Sequence, residues 1–148
     1  MRLASHQPYF FPYIGYFSLI SECDMFVLFD TSQYVRHSWM NRNRIAGLSD
    51  GWEYITVPVR KHDRATPTRD VRISDQYDWR GVVKRQLERY RRHAPHYRET
   101  IDLVSSVLAE GSDRLARLNT RGVVAVCEYL AWIIRETKKG SALRRSDR

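Results

Sequence analysis

Between Arg2 and Asp30 the apolar positions change their spacing twice. Residues 2 to 5 are long enough only for a short strand, which places His6 at its carboxyl end. The segment Gln7 to Pro12 must be a loop, because Pro8 and Pro12 each remove a backbone donor. From Tyr13 to Glu22 the residues Tyr13, Phe17 and Ile20 fall three and four apart, the spacing of one helical face. Asp24 to Asp30 then carries an unbroken Met-Phe-Val-Leu-Phe run, the pattern of a strand covered on both faces within a parallel sheet. Strand, helix and strand in this order predict a βαβ unit. In that unit His6 and Asp30 share the carboxyl edge of the sheet, where open α/β sheets bind ligands.

The pattern lapses from Thr31 to Gly51, a polar and aromatic stretch read as a long loop covering the site. Alternation returns at Tyr54 to Val59, where Ile55, Val57 and Val59 predict a half-exposed strand with Pro58 at an edge or end. Residues 60 to 69 read as a charged turn, and Asp70 to Ile73 as one more short strand. Three helices follow. Trp79, Val83 and Tyr90 mark the buried face of the first, which Pro95 stops. Tyr97, Ile101, Val104 and Leu108 mark the second, from His96 to Ala109. The third has Ser112 or Asp113 as its cap and Leu115, Leu118, Val123, Val126, Leu130 and Ile133 as its stripe. The predicted fold class is therefore α/β: an N-terminal βαβ unit in a small, mostly parallel, Rossmann-like sheet, followed by a C-terminal helical half. One domain is expected over residues 1–137, with 138–148 as a basic, frayed tail.

Charge narrows the partners. Twenty-five Lys and Arg against 17 Asp and Glu leave a formal net charge of +8, which favours anionic partners such as phosphorylated metabolites, nucleotides, RNA or acidic lipid without choosing among them. An anionic small molecule is the expected partner, with nucleic acid as the weaker alternative. Cys23 and Cys127 have no metal or disulfide spacing and are read as buried thiols. No stretch reaches the ~20 apolar residues of a membrane span and no signal-peptide core follows Met1, so a cytoplasmic protein is expected.

Candidate chemistry begins with His6, whose imidazole can exchange a proton at cellular pH. A hydrogen-bonded structural histidine is the commoner occupant of a strand end. Tyr9, Phe11 and Tyr16 can wall a ring-shaped substrate, with Gly15 allowing close approach; Phe10 and Phe17 read as core. In Asn41-Arg42-Asn43-Arg44, amides alternate with guanidinium groups between Trp39 and Trp52, a set suited to a phosphate or carboxylate lying against an indole. Lys61, with Arg60, can reach the same anion. The basic face of Lys84, Arg85, Arg89, Arg91 and Arg92 reads as solvated, with an RNA surface as the alternative. There is no glycine-rich phosphate loop, cysteine cluster or serine elbow, and His37, His62, His93 and His96 do not make a ligand set, so neither a cofactor nor a metal is expected.

His6-Gln7-Pro8, Phe11-Pro12, Gly15-Tyr16, Asp24, Phe26-Val27, Asp30, Gln33-Tyr34, Trp39, Asn41 to Ile45 and Thr56 to Val59 closely resemble the WbqC-like protein family. Trp79, Tyr90, Ala94-Pro95 and Leu118-Asn119 fit the same pattern. Members occur with bacterial O-antigen and related polysaccharide genes, and a glycine transferase role has been proposed for some. The resemblance implies acyl or aminoacyl transfer to an amino-sugar precursor, with a nucleotide-linked sugar or aminoacyl donor as partner. His6 would then be the general base and Asp30 would orient it or hold the ammonium. Gln7, Gln33 and Asn41 would bond the substrate, Arg42, Arg44 and Lys61 would hold its anion, and Tyr9, Phe11, Tyr16 and Trp39 would wall the cavity. A non-catalytic nucleotide-sugar or RNA-binding module is the alternative. The family pattern continues past the last helix, so a shortened member is expected. Nucleotidylyltransferases are similar more loosely, but Tyr16 stands where their second histidine would be, so nucleotidyl transfer is not expected.

Overall fold

A computed structural model describes residues 1–47 and 51–130 and the backbone of 142–144. The predicted βαβ unit is present. Strand β1 (Leu3–His6) leads through helix α1 (Ile14–Glu22) to β2 (Met25–Leu28), and β1 pairs with β2 in parallel, His6 opposite Leu28. The sheet then departs from expectation. Its third strand, β5 (Ala142–Arg144), lies antiparallel on β2, so one parallel and one antiparallel pair replace a mostly parallel Rossmann-like sheet. The strand also takes in part of the expected frayed tail; the remainder of that tail, and Ile133, lie outside the described residues.

The stretch read as a loop contains β3 (Arg42–Ala46), which forms an antiparallel hairpin with β4 (Trp52–Thr56). Its apolar content is low because its stability comes from the other face of the ladder. Arg42 stacks over the Tyr54 ring at 4.0 Å and Arg44 over the Trp52 ring at 4.0 Å, cross-strand cation–π pairs that a hydrophobicity pattern does not register. The expected strand at Asp70 to Ile73 is reduced to two isolated bridges, Arg72 with Arg114 and Ile73 with Val59, because Thr68–Asp70 form a 3-10 turn instead.

Helices α2 (Trp79–Leu87), α3 (Tyr97–Ala109) and α4 (Leu115–Tyr129) fill the second half. Asp78 caps α2 by accepting from Gly81 N at 2.9 Å. Beyond Leu87 this helix tightens into a 3-10 turn, Glu88–Arg92, before reaching Pro95. Neither Ser112 nor Asp113 caps α4. The first helical N–H, that of Leu115, is already taken by Val71 O at 3.0 Å, while Asp113 pairs with Arg72 at 3.1 Å. Tyr97 and Ile101 are only half-buried, and Leu130 is exposed.

Two apolar clusters hold these elements together. One joins α1 and β2 to Val123 and Cys127 of α4; the other joins β4, α2 and α3 to Leu115, Leu118 and Ala125 of the same helix. Both cysteines are buried and free, and burial pushes the Cys127 thiol up to about 12. On a third line of α4, Asn119 is 1% exposed, and its amide donates to Pro8 O at 2.8 Å and to Met40 O at 2.7 Å. One carboxamide thereby ties the helix to the His6 loop and to the approach to β3. Its Oδ1 is buried without a partner.

Replacing Asn119 by Ala should cost about 2–3 kcal/mol in urea unfolding, since two buried carbonyls lose their donor while one unsatisfied oxygen is removed. Asn119→Asp should cost more, because a carboxylate would face both carbonyls. Gly122, also in α4, provides a contrast. A Cβ there would meet Phe11 Cε1 at 3.7 Å and Val107 Cγ1 at 3.8 Å, ordinary contacts, so Gly122→Ala should be neutral or raise stability by about 0.5–1 kcal/mol.

Candidate functional site

The carboxyl ends of β1 and β2 are locked to each other. Phe29 N donates to His6 O at 2.9 Å, and Gln7 Nε2 donates to Ser32 Oγ at 2.7 Å. The His6 ring is half-buried, with Nδ1 3.2 Å from Gln7 O. Tyr9 and Tyr16 meet it edge-on, their centroids 4.8 and 5.1 Å away. Tyr16 donates its hydroxyl to Gln7 O at 3.0 Å, and burial, with smaller contributions from Tyr9 and Cys127, raises its pKa well above the phenol range. Tyr16 is thus a permanent donor. No hydrogen bond joins His6 to Asp30, so the imidazole is oriented by Gln7 O and two phenol rings rather than by a carboxylate. Phe11 has φ 43°, in the left-handed region, and Asn43 Nδ2 holds that turn by donating to the carbonyls of both Phe10 and Phe11. The Phe11 ring lies on Gly122. Gly15 faces the exposed ring of Tyr13.

Beyond this lock the chain from Asp30 to Tyr34 pairs with residues 66 to 69. Arg69 N donates to Asp30 O at 3.0 Å, Thr68 N to Ser32 O at 2.8 Å and Tyr34 N to Thr66 O at 3.0 Å. Gln33 bridges to Pro67 and donates its amide to Arg64 O at 2.6 Å, a structural use of that side chain. The strip has a cavity at each end. Asp30 borders one of about 1030 Å³, and Tyr34 borders one of about 370 Å³. Four residues of chain span at most about 14 Å, so the two cavities flank one short strip to which Gln7 is bonded at its midpoint.

The smaller cavity brings Asn41 and Lys61 together, two residues predicted to meet a substrate. Arg36, Arg60, His37 and His62 line it as well, and no carboxylate does. Arg60 Nε is held by Ile73 O at 3.0 Å. Asn41 is 9% exposed; its Nδ2 donates to Val57 O at 3.1 Å, whereas Oδ1 is buried without a partner. The Tyr34 hydroxyl has a raised pKa because burial outweighs the opposing influence of Arg36 and Arg42. Such a lining suits a phosphate or carboxylate.

Arg42 and Arg44 lie differently from expectation. Arg42 donates to His37 O at 2.6 Å and does not line the small cavity, and Arg44 sits among Trp52, Tyr54 and Trp39, 5.3 Å from the last. Trp39 and Trp52 remain 40% and 53% exposed, so this stack lies at the surface. Arg36 lines the small cavity although nothing in its local pattern separates it from other loop arginines. Arg89, read as part of a solvated basic face, is instead pinned by Glu53 and by Ala46 O at 2.7 Å, which removes one member of the possible RNA surface. Among the described residues no helix is long and apolar enough to cross a membrane.

The sequence pattern that defines the WbqC-like protein family matches residues 7–148. An uncharacterised protein of Mycobacterium tuberculosis (strain ATCC 25618 / H37Rv), Rv1507c, is 36% identical over 130 residues, which make up 87% of this chain and 56% of that protein. The chain thus spans little more than half the length of that relative. No solved structure matches it.

Arg36→Ala and Lys61→Ala should each weaken binding of inorganic pyrophosphate by about 5- to 20-fold, read by titration calorimetry at low salt. Arg44→Ala should leave that affinity within about 2-fold, because its guanidinium stacks on the hairpin instead.

Proposed function

The chain belongs to the WbqC-like protein family, and from that premise we propose that it is a biosynthetic transferase that moves an acyl or aminoacyl group, glycyl among them, onto an amino-sugar precursor of a bacterial surface polysaccharide. The observation that carries the reading is the small cavity, with Arg36, Arg60 and Lys61 on its walls and no carboxylate, at one end of the strip to which Gln7 is bonded. Activated acyl donors and nucleotide-linked sugars both bear phosphate or carboxylate, and a cavity of one charge sign would hold that end. Asn41 Oδ1, which has no protein donor, would accept from a substrate hydroxyl or amide.

In this reading the acceptor amine attacks the acyl carbonyl. The new C–N bond forms as the bond to the leaving group breaks. His6 takes the proton from the nitrogen and returns it to the leaving group. Gln7 and Tyr16 hold the loop that follows the imidazole, and Tyr9, Phe11 and Trp39 supply apolar walls. A cytoplasmic location and a nucleotide-linked substrate belong to the same proposal. A non-catalytic nucleotide-sugar module is the second reading, favoured by the edge-on packing of Tyr9 and Tyr16 against His6, a geometry that also suits a structural histidine.

Mass spectrometry of reactions pairing nucleotide-linked amino sugars with aminoacyl donors separates the two. The transferase should yield an acylated sugar, and His6→Ala should lower its turnover by about 10²-fold or more with the thermal midpoint unchanged. Unaltered turnover in that variant would remove His6 from the chemistry, and saturable nucleotide-sugar binding with no product from any pair would favour the module.

A further inference from the structure

The larger cavity lies at the other end of the strip, between Asp30, Arg69 and the α3–α4 junction. Most charges on its walls are already neutralised within the protein. Arg114 pairs with Asp70 at 3.3 Å, Arg69 with the same carboxylate at 3.7 Å, and Asp113 with Arg72 at 3.1 Å. Arg121 is held by Glu110 and, at 3.2 Å, by Glu128. Two lining groups differ. Among the described residues, neither the Asp30 carboxylate nor the Arg117 guanidinium has a hydrogen-bond or ion-pair partner. They come from separate elements, one from the carboxyl edge of the parallel pair and one from the first turn of α4.

Unmatched charges of opposite sign on one concave wall recognise a molecule with the opposite arrangement. We propose that this cavity binds a small molecule bearing both an ammonium and a phosphate or carboxylate, the ammonium on Asp30 and the anion on Arg117. A simple anion would meet Asp30 and be repelled; a simple amine would leave Arg117 unmatched. The volume, about 1030 Å³, exceeds the needs of a single amino acid and accommodates a sugar phosphate or larger. The proposal deepens the transfer reading: naming the bound molecule as the amine-bearing substrate rests on that reading, whereas the binding itself rests on the two unpaired groups. Asp30 would then keep the amine protonated and parked until it moves along the strip towards His6.

The test is equilibrium titration of the full chain with glucosamine 6-phosphate, with N-acetylglucosamine 6-phosphate as the probe that lacks the ammonium. Glycine provides the carboxylate arm and shows which anion the site prefers. Wild-type protein should bind at least one of the two amines saturably. If that amine is the sugar phosphate, its acetylated form should bind at least about tenfold more weakly. Asp30→Asn and Arg117→Gln should each weaken the amine about tenfold, Arg117→Lys should recover part of the loss, and Asp30→Asn should not weaken the acetylated probe. Arg117 is exposed on a helix, so its variants remain informative if Asp30→Asn folds poorly. Three results would overturn the proposal: no saturable binding of either amine, equal affinity for the sugar phosphate and its acetylated form, or amine affinity unchanged in Arg117→Gln. Absence of transfer with Asp30-dependent binding intact would remove the transferase reading alone. Loss of transfer in Asp30→Asn with amine affinity unchanged would remove this proposal alone.

Discussion

The carboxamide of Asn119 is the point on which three parts of the chain converge. A helix packs non-directionally through its apolar stripe, and α4 could slide or turn against its two clusters at modest cost. Two buried hydrogen bonds, to Pro8 O and Met40 O, remove that freedom. They set the depth of the loop following His6 and the point at which the chain enters β3. Burying an amide is unfavourable unless its donors are used, so the contact is all-or-nothing and specifies one arrangement.

From that anchor the loop is fixed outwards by further amides. Asn43 closes the Phe10–Phe11 turn, and Gln7 reaches Ser32. These bonds are directional and hold a segment that two prolines and a left-handed phenylalanine keep out of regular structure. The rings beside them, Tyr9 and Tyr16, then fill the space around the imidazole. Aromatic density in this stretch thus serves packing around a polar core, with His6 half-buried at its margin.

Electrostatics divides the surface around the strip in two. The small cavity gathers cations without acids, and the large one pairs most of its charges internally, leaving Asp30 and Arg117 unmatched among the described residues. The net charge of +8 is therefore unevenly expressed. Where arginines are matched, as at Arg114 and Arg121, they hold helices and turns together; where they are not, as at Arg36 and Arg117, they are available to a ligand.

The sequence alone determined the βαβ unit, the bounds of α3 to within a residue and the burial of Trp79, Val104 and Leu115, because each depends on spacing along a single element. It also carried the family resemblance, from His6-Gln7-Pro8 to Leu118-Asn119. The β3–β4 hairpin was not legible, since its strands are joined by arginine stacking on Tyr54 and Trp52 from across the ladder. Nor was the split of the predicted site residues, with Asn41 and Lys61 on one cavity, Asp30 on another and Arg44 on a stack of indoles. Only the tertiary structure could decide which arginines find carboxylates, because an ion pair is settled by partners distant in sequence, such as Asp70 for Arg114 or Glu53 for Arg89. Periodicity reports what a residue's own element needs, and charge pairing depends on which elements come to lie beside it.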